Sequence, residues 1–426
     1  MADVKAIDDG LYYPSFPRDW KRSQLYELAN WINGIAFKDI NFDEDGLPVI
    51  KISEIKNGLT DQTRYTNQCF DKSVLIKTGD LLFSWSGQPE TSIDASWWRG
   101  PEGWLNQHIF RVISNDMVDS VFFYYILKYA KPNFVGIAKN KQTTGLGHVT
   151  KKDLARMEVA YPPLPEQRRI AHILGTLDDK IENNRKTAKT LEAMAQAIFK
   201  SWFVDFDPVR AKMAGESRDS ICKRLKLTPE ILDLFPDRLV DSELGEIPEG
   251  WHNKAISEIV KRVSVGTKYD TKKVFEIGKV PVLDQGKSGI IGYHNGTPDI
   301  HASPTNPIII FANHTCYMRL IPYDFSVIQN VLPFYGDGVD TIWAYFATRD
   351  KISFSEYKGH WPDFILEPVI VPSKALTTYF RTIISDLISA IFVADAMNEP
   401  ISKTRDTLLP KLISGELRVS DPALLI

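Results

Sequence analysis

The side chains best suited to chemistry lie in polar loops that are also rich in aromatic residues. The segment SWSGQPETSIDASWWRGPEGW (84–104) has four tryptophans, and KNKQTTGLGHVTKK (139–152) combines lysines with asparagine, glutamine and histidine. The same mixture recurs in GKSGIIGYHNG (286–296), ANHTCYM (312–318) and EYKGHW (356–361). Such polar side chains hydrogen-bond base edges and lysines contact phosphates, so the loops predict binding to DNA.

The candidate DNA contacts are spread over both halves of the sequence. They are Trp85, Ser86, Gln88, Arg99, Lys139, Lys141, Gln142, His148, Lys151, Lys287, Tyr293, His294, Asn295, Asn313, His314, Lys358 and His360. For any one of these residues, the alternative is a solvated loop whose tryptophans are tucked into the core. The set in each half favours recognition over that alternative.

Sequence motifs for catalysis are incomplete. PVLDQGKS (281–288) resembles a phosphate-binding loop, but Pro281 replaces the first glycine and supplies neither its positive φ nor its N–H. SEIK (53–56), with Asp45 upstream, is half of a nuclease motif that occurs by chance in most chains. TNPI (305–308) lacks the second proline and the aromatic residue of the adenine methyltransferase tetrapeptide. No His, Asp, Glu or Cys set has metal-ligand spacing. We therefore expect no catalytic residues, no metal site and no cofactor bound by this chain.

Composition sets the class of protein. The chain has 426 residues, a formal net charge of −3 and 43% hydrophobic residues, which is typical of a soluble protein of two or three domains. That charge excludes a globally basic nucleic-acid coat but leaves local basic faces possible. The three cysteines are far apart, which fits a reducing cytoplasm. The N-terminus lacks a signal-peptide pattern, and the longest apolar stretch, LISAIFVA (387–394), is too short to cross a bilayer. We expect a cytoplasmic protein.

A long helix follows the first set of loops. The prolines of YPPLPEQ (161–167) favour an extended entry into a helix, and between Glu166 and Phe203 only Gly175 weakens it. About 38 helical residues would measure roughly 57 Å. Nine of ten heptad positions are apolar, and the buried Asn fixes register and partner at a cost in stability. The heptad positions are Ile170, Leu174, Leu177, Ile181, Asn184, Ala188, Leu191, Ala195, Ile198 and Trp202.

A second heptad stripe lies near the C-terminus. Its positions are Phe380, Ile384, Leu387, Ile391, Ala394, Asn398, Ile401, Arg405, Leu408 and Leu412. Pro400 predicts a kink or a break in this helix. We expect the two stripes to pack as an antiparallel coiled coil within one chain. Coiling between chains and burial of the first helix in a globular core are the alternatives.

The sequence repeats weakly. PRDWKRSQLYELANWINGIAFK (17–38) parallels PEGWHNKAISEIVKRVSVGTK (248–268), and GHVTKKDLARMEVAYPPL (147–164) parallels GHWPDFILEPVIVPSKAL (359–376), whereas the middles diverge. Each copy mixes β-rich runs with helical segments without regular alternation, which predicts an α+β fold. The shared ends indicate a common structural scaffold. The divergent middles indicate the segments that carry whatever role differs between the two copies.

Four motifs in this order resemble the specificity subunit of a Type I restriction–modification enzyme. They are YPPLPEQRRIAHILGTLDDKIENN (161–184), LEAMAQAIFKSWFVDFDPV (191–209), SELGEIPEGW (242–251) and LLPKLISGEL (408–417). The resemblance covers nearly the whole chain. It implies a first target-recognition domain (1–160), a first spacer helix (161–206), a connector (207–250), a second target-recognition domain (251–373) and a second long helix with the C-terminal tail (374–426).

The resemblance also implies a function. Such a subunit has no catalysis of its own: it reads a bipartite DNA sequence and docks two modification subunits that bind S-adenosylmethionine and methylate adenine N6. Restriction subunits, which use ATP and Mg²⁺, complete a site-specific endonuclease. The helix pair would then be a spacer that sets the distance between two DNA-binding heads. A coiled-coil adaptor whose heads bind proteins is the alternative, and it predicts binding that needs no DNA.

Overall fold

A computed structural model describes residues 17–38, 42–141, 145–267, 269–286, 289–354, 356 and 358–419. Its internal contacts divide the chain into two compact units. The first comprises Met1–Glu182 and Glu399–Ile426, and the second comprises Asn183–Asn398. Each long helix contributes residues to both units.

The first unit is a mixed α and β structure. In chain order its elements are β1 (Lys21–Gln24), β2 (Ala29–Asn33), β3 (Leu47–Ile50), α1 (Ile52–Asn57), β4 (Tyr65–Thr66), β5 (Leu75–Ile76), β6 (Leu81–Ser84), β7 (Ser86–Gly87), α2 (Pro89–Ser92), β8 (Asp94–Trp97), β9 (Gly103–Leu105), β10 (Ile109–Ser114), α3 (Ser120–Tyr129), α4 (Lys131–Asn140), β11 (Gly147–His148), α5 (Lys151–Leu154), β12 (Glu158–Tyr161) and the start of α6 (Leu164–Phe203).

The second unit has a similar set of elements after a short helical connector. They are α7 (Asp207–Met213), α8 (Arg218–Leu225), α9 (Pro229–Leu232), β13 (Leu239–Ser242), β14 (Gly245–Pro248), β15 (His252–Ala255), β16 (Val260–Arg262), β17 (Val280–Leu283), β18 (Ile290–His294), β19 (Ile308–Ala312), β20 (Met318–Ile321), β21 (Ser326–Val327), β22 (Val331–Gly336), α10 (Thr341–Thr348), α11 (Trp361–Phe364), β23 (Pro368–Val371) and most of α12 (Lys374–Ser414).

Each unit is built on a four-stranded antiparallel sheet of the same order. It is β2-β10-β6-β8 in the first unit and β16-β22-β19-β20 in the second. The central strand β6 is buried along its whole length because Phe83 packs in the core with the helices while Leu82 faces a second small sheet. In β19, Phe311 and Ile310 divide between two cores in the same way. A strand covered on both faces is hydrophobic throughout instead of alternating between apolar and polar residues. This explains the apolar runs within DLLFSW (80–85) and NPIIIFA (306–312).

Helices α3 and α10 occupy matching positions and begin at matching aspartates. The carboxylate of Asp119 accepts hydrogen bonds from the first N–H groups of α3, and that of Asp340 does so for α10. The Asp119 N–H donates to the Gln167 side chain of α6 at 2.8 Å, and the Asp340 N–H donates to Thr377 of α12 at 3.1 Å. The predicted duplication and the α+β fold are therefore confirmed.

The two long helices are continuous, with 40 residues in α6 and 41 in α12, or about 60 Å each. All twenty predicted heptad positions are buried or half-buried. The helices run antiparallel in both units. In the first unit Asp178 of α6 pairs with Arg405 of α12 at 2.6 Å, and in the second the two heptad asparagines meet.

That asparagine pair specifies the register of the helices. Asn184 is 7% exposed, and its Nδ2 donates to Oδ1 of Asn398 at 3.0 Å. A shift of either helix by one heptad would leave a buried amide without its partner. The predicted antiparallel coiled coil within one chain is confirmed.

Of the predicted kink or break at Pro400, the break is wrong, because α12 continues through both Pro400 and Pro410. Proline removes the hydrogen bond to the carbonyl four residues earlier, here that of Ala396. Both Pro400 and Ala396 are exposed, so water can satisfy that carbonyl while the opposite face of the helix stays packed.

The connector packs onto the core of the second unit. Val209, Ile231 and Phe235 are buried there, and the Phe235 ring lies 5.4 Å from that of Trp202 in α6. Only a few side chains of the connector are directed into this core, which is consistent with its polar sequence.

Candidate nucleic-acid interface

In the first unit, two distant loops are joined by a short strand pair. Strand β11 pairs antiparallel with β7, which places His148 opposite Ser86. Gln88 is the first residue after β7 and is exposed, and Lys151 begins α5 three residues after His148. The structure therefore brings together predicted residues that are more than fifty positions apart in the sequence.

Trp85 anchors this loop cluster. Its indole N–H donates to Oδ1 of Asn33 at 3.0 Å, its ring lies 5.6 Å from that of His108, and its carbonyl accepts from the N–H of Val149 at 2.8 Å. The side chain is half-buried, so it holds the loops in place and still presents one edge at the surface.

Three polar residues of this cluster were missing from the sequence prediction. They are Asn33, Gln107 and His108, and the side chains of Gln107 and His108 lie 3.2 Å apart. His108 is exposed. The signal for Gln107 and His108 in the sequence is NQH (106–108), a polar triplet ahead of strand β10 that matches the composition of the predicted loops.

The predicted lysines have different partners. Lys141 Nζ donates to both oxygens of Asp153, at 2.5 and 2.6 Å, and the Asp153 side chain is only 8% exposed. Burial opposes ionisation of Asp153, but hydrogen bonds from Lys141 and Thr150 outweigh it and lower its pKa. Lys139 forms an exposed ion pair with Glu90 at 2.6 Å. Lys151 is exposed, with Nζ 5.6 Å from the Phe110 ring.

Lys141 is therefore held within the framework of the loop, whereas Lys151 is exposed. Arg99 lies elsewhere in the unit, where its guanidinium pairs with Glu182 of α6 at 2.6 Å. Gln142 lies outside the described residues.

In the second unit, a corresponding cluster forms around His314. Its backbone N–H donates to the Gln285 side chain at 3.0 Å, and its Nδ1 donates to the carbonyl of Lys358 at 2.8 Å. The Lys358 ammonium lies 3.3 Å from Glu356 and 3.2 Å from Asp363, and the hydrogen bond to Asp363, followed by that to Glu356, raises its pKa. Gln285 was absent from the sequence prediction because it lies one residue before the predicted loop 286–296.

Asn313 occupies the place that Trp85 has in the first unit. Each is the first residue after the central strand, and each carbonyl accepts from the Gly-His segment, at 2.8 Å from Val149 and at 2.9 Å from His360. The Asn313 side chain also accepts from the Trp361 N–H at 2.8 Å. A similar backbone contact, with the donor one position earlier in the second unit, thus positions two different side chains.

Two of the predicted histidines are buried. His294 is 5% exposed, lies 3.0 Å from Ser326 through Nε2, accepts from the N–H of Gly296 at 3.1 Å and stacks on Tyr269. His360 is 2% exposed and its Nε2 donates to the carbonyl of Glu356 at 3.1 Å. Their ring nitrogens are directed inside the fold, which corrects their assignment as base contacts to a structural one.

The remaining predicted residues of the second unit lie apart from the His314 cluster. Tyr293 and Asn295 are at the end of strand β18, opposite the turn that carries Gln285. Tyr293 is half-buried opposite Pro281 of β17, and exposed Asn295 accepts from the N–H of Lys279 at 3.2 Å. Lys287 lies outside the described residues.

In the described ranges, no three His, Cys, Asp or Glu side chains are grouped closely enough to hold a metal ion. Within the same ranges, no helix combines the length and apolar character required to cross a membrane.

Comparison with known proteins shows which proteins the chain resembles. The family model described as Type I restriction modification DNA specificity domain matches residues 17–193. The Type I restriction enzyme MjaIX specificity subunit of Methanocaldococcus jannaschii is 25% identical over 341 residues, covering 74% of this chain and 73% of that protein. The HindI specificity subunit of Haemophilus influenzae is 25% identical over 351 residues, covering 67% and 74%. The S subunit of M. genitalium is 16% identical, with 92% and 96% coverage and a TM-score of 0.47.

The two units thus share one α+β fold, and each has a polar loop cluster at the same place in its sheet. The family model that matches the first of them describes a DNA specificity domain. Residues 17–193 match the DNA specificity domain of Type I restriction–modification systems, and the chain is similar over two thirds or more of its length to two Type I specificity subunits.

Proposed function

We propose that this chain reads a bipartite DNA sequence and positions adenine-N6 methyltransferase subunits on it, with no catalysis of its own. The observation that carries the proposal is the matched pair of loop clusters. Trp85 and Asn313 sit at the same point of two equivalent sheets and differ in side-chain chemistry. Two equivalent sheets that present different side chains at the same point are suited to reading two different DNA half-sites.

In the first head, Ser86, Gln88, Gln107, His108 and His148 supply hydrogen-bond donors and acceptors for base edges. Lys151 supplies a cation for a phosphate. In the second head, Gln285, Asn313 and His314 have the corresponding role, with Asn295 at the other end of its hairpin.

The partners follow from the family. We propose two modification subunits, which would hold S-adenosylmethionine, and restriction subunits, which would hold ATP and Mg²⁺. The long helices would set the spacing of the two half-sites.

Mapping N6-methyladenine in DNA from cells that express this chain with the methyltransferase subunits of its system tests the proposal. We expect methylation at one two-part motif, and none when either component is expressed alone. Replacing residues 20–160 by the matching segment of a relative should change one half of the motif and preserve the other.

Two outcomes would contradict the proposal. Methylation by the purified chain alone would show that it is an enzyme. Salt-insensitive protein binding without any effect on DNA methylation would favour the adaptor function instead.

A further inference from the structure

A cavity of about 300 Å³ lies in the second unit among strand β20, helix α10 and the segments of α6 and α12 that belong to that unit. Small-molecule sites begin at about this volume. None of the residues proposed above to contact bases lines it.

The cavity is rich in charge. Its walls carry four cations and two carboxylates, which are Arg185, Lys189, Arg319, Arg349, Glu192 and Asp395. Arg349 and Glu192 pair at 2.6 Å, and the Tyr345 hydroxyl donates to Glu192 at 2.9 Å. Those two groups satisfy each other, so the remaining charges are three cations and the carboxylate of Asp395.

Arg319 is the most unusual of these cations. Its Nε is buried and, among the described residues, has no hydrogen-bond partner. One of its terminal nitrogens reaches only the Gly289 carbonyl, at 3.4 Å, and its guanidinium lies 5.9 Å from the Tyr317 ring centre. Buried polar groups without partners are rare in folded proteins and require an explanation. The Nε atom is closed to solvent, so a ligand in the cavity would meet the terminal nitrogens, which the Gly289 carbonyl satisfies only through the 3.4 Å contact.

The rim supplies further positive charge. Arg185 and Lys189 are one turn apart on α6, both exposed, and neither has a hydrogen bond or ion pair with another described side chain. Burial raises the pKa of Asp395 against the opposing effect of the Arg319 charge, and even when it is ionised, this one carboxylate leaves the three cations in excess. Guanidinium groups bind phosphates through paired hydrogen bonds.

At the equivalent place of the first unit, an indole stands where the cavity has a leucine. Aligning the sheets on Phe83 and Phe311 matches Trp97 with Leu320, through the pairs Leu81–Trp97 and Ile309–Leu320. The Trp97 ring packs 5.5 Å from that of Tyr124. In the second unit a leucine replaces this indole, which opens the space.

The polar groups at this place also differ. The same alignment matches Ser96 with Arg319, so the arginine is added only in the second unit. In the first unit, the carboxylate of Asp94 is held by Lys128 at 2.8 Å and by Lys131 at 2.7 Å. In the first unit the Trp97 ring fills this place and the Asp94 carboxylate is paired with two lysines. In the second unit the corresponding place is the cavity.

We propose that this cavity binds a small phosphate-bearing ligand, with the phosphate held by Arg319, Arg185 and Lys189. The aromatic wall of Tyr317 and Phe392 would contact the organic part of the ligand. The proposal does not depend on DNA recognition, because it rests on residues outside the loop clusters.

Calorimetric titration of the full chain with AMP and with inorganic phosphate tests this site. We expect binding by the parent chain, about tenfold or greater weakening in Arg319→Gln because a charge-assisted contact is lost, and abolition in Leu320→Trp, which restores the indole of the first unit. Lys180→Ala removes an exposed cation from α6 away from the cavity and should bind as the parent does. Thermal unfolding without ligand checks that each variant is folded.

The two probes distinguish the sources of phosphate. Equal affinity for both identifies inorganic phosphate, whereas tighter binding of AMP identifies a nucleotide-like ligand, and both support the site. The proposal is overturned if the parent binds neither probe at millimolar concentration, or if folded Arg319→Gln binds as tightly as the parent. It is also overturned if Leu320→Trp blocks only assembly with methyltransferase subunits, since the cavity would then be a protein interface.

Discussion

Replacing Lys141 by alanine decides between its two possible roles, as a DNA contact and as a framework residue. In the structure its ammonium group donates to both oxygens of a carboxylate that is 8% exposed, Asp153. The substitution would leave that carboxylate with only the Thr150 N–H and hydroxyl, each at 2.6 Å.

The magnitude follows from these contacts. A hydrogen bond to a charged group contributes about 1.5–3 kcal/mol. The Lys141 side chain is 36% exposed, so solvent reduces the value, and we expect a loss of about 1–2 kcal/mol in the free energy of unfolding. Because the pKa of Asp153 is lowered in the folded state, this stabilisation is present above the unfolded pKa of about 3.9. It should disappear as the pH falls through the folded pKa.

Urea unfolding of the full chain measures this loss, and hydrogen exchange of the α5 amides reports it locally. Lys139→Ala is the matched control, because its ion pair with Glu90 is exposed at both ends, and it should leave stability unchanged. The framework assignment would fail if Lys141→Ala were as stable as the parent at neutral pH while its DNA affinity became less dependent on salt.

Three further perturbations test other parts of the molecule. Lys151→Ala should leave stability unchanged and reduce the log–log salt slope of DNA binding by about 0.9 if the lysine contacts a phosphate, and an unchanged slope would exclude that contact. Asn398→Ala should destabilise the helix pair by about 1–3 kcal/mol in urea unfolding, because the Asn184 amide is left buried without a partner, whereas leucine at both positions should restore stability at the expense of register. Deleting one heptad from both α6 and α12 shortens each helix by about 10 Å, and methylation mapping should then show half-sites closer by roughly three base pairs; full activity on the parent spacing would refute the spacer role.

Much of the candidate site was predictable by residue type but not by position. The mixture of Trp, Gln, Asn, Lys and His identified the loops at 84–104 and 139–152, which the strand pair β7–β11 joins. The composition could not distinguish Lys141, which pairs with a buried carboxylate, from Lys151, which is exposed. It also omitted Gln285, whose contact with His314 crosses 29 residues.

Heptad periodicity alone was enough to predict the two long helices, their buried stripes and the asparagine in each. Helical periodicity is a local pattern in which residues three and four apart share a face, so Asn184 and Asn398 could be assigned separately to buried positions. Which polar groups are satisfied became clear from the folded structure, because that depends on which distant side chains approach within hydrogen-bond distance. The same reason explains why Pro400 is tolerated: its effect on α12 depends on whether the freed carbonyl faces water or the packed seam, and a linear pattern does not carry that information.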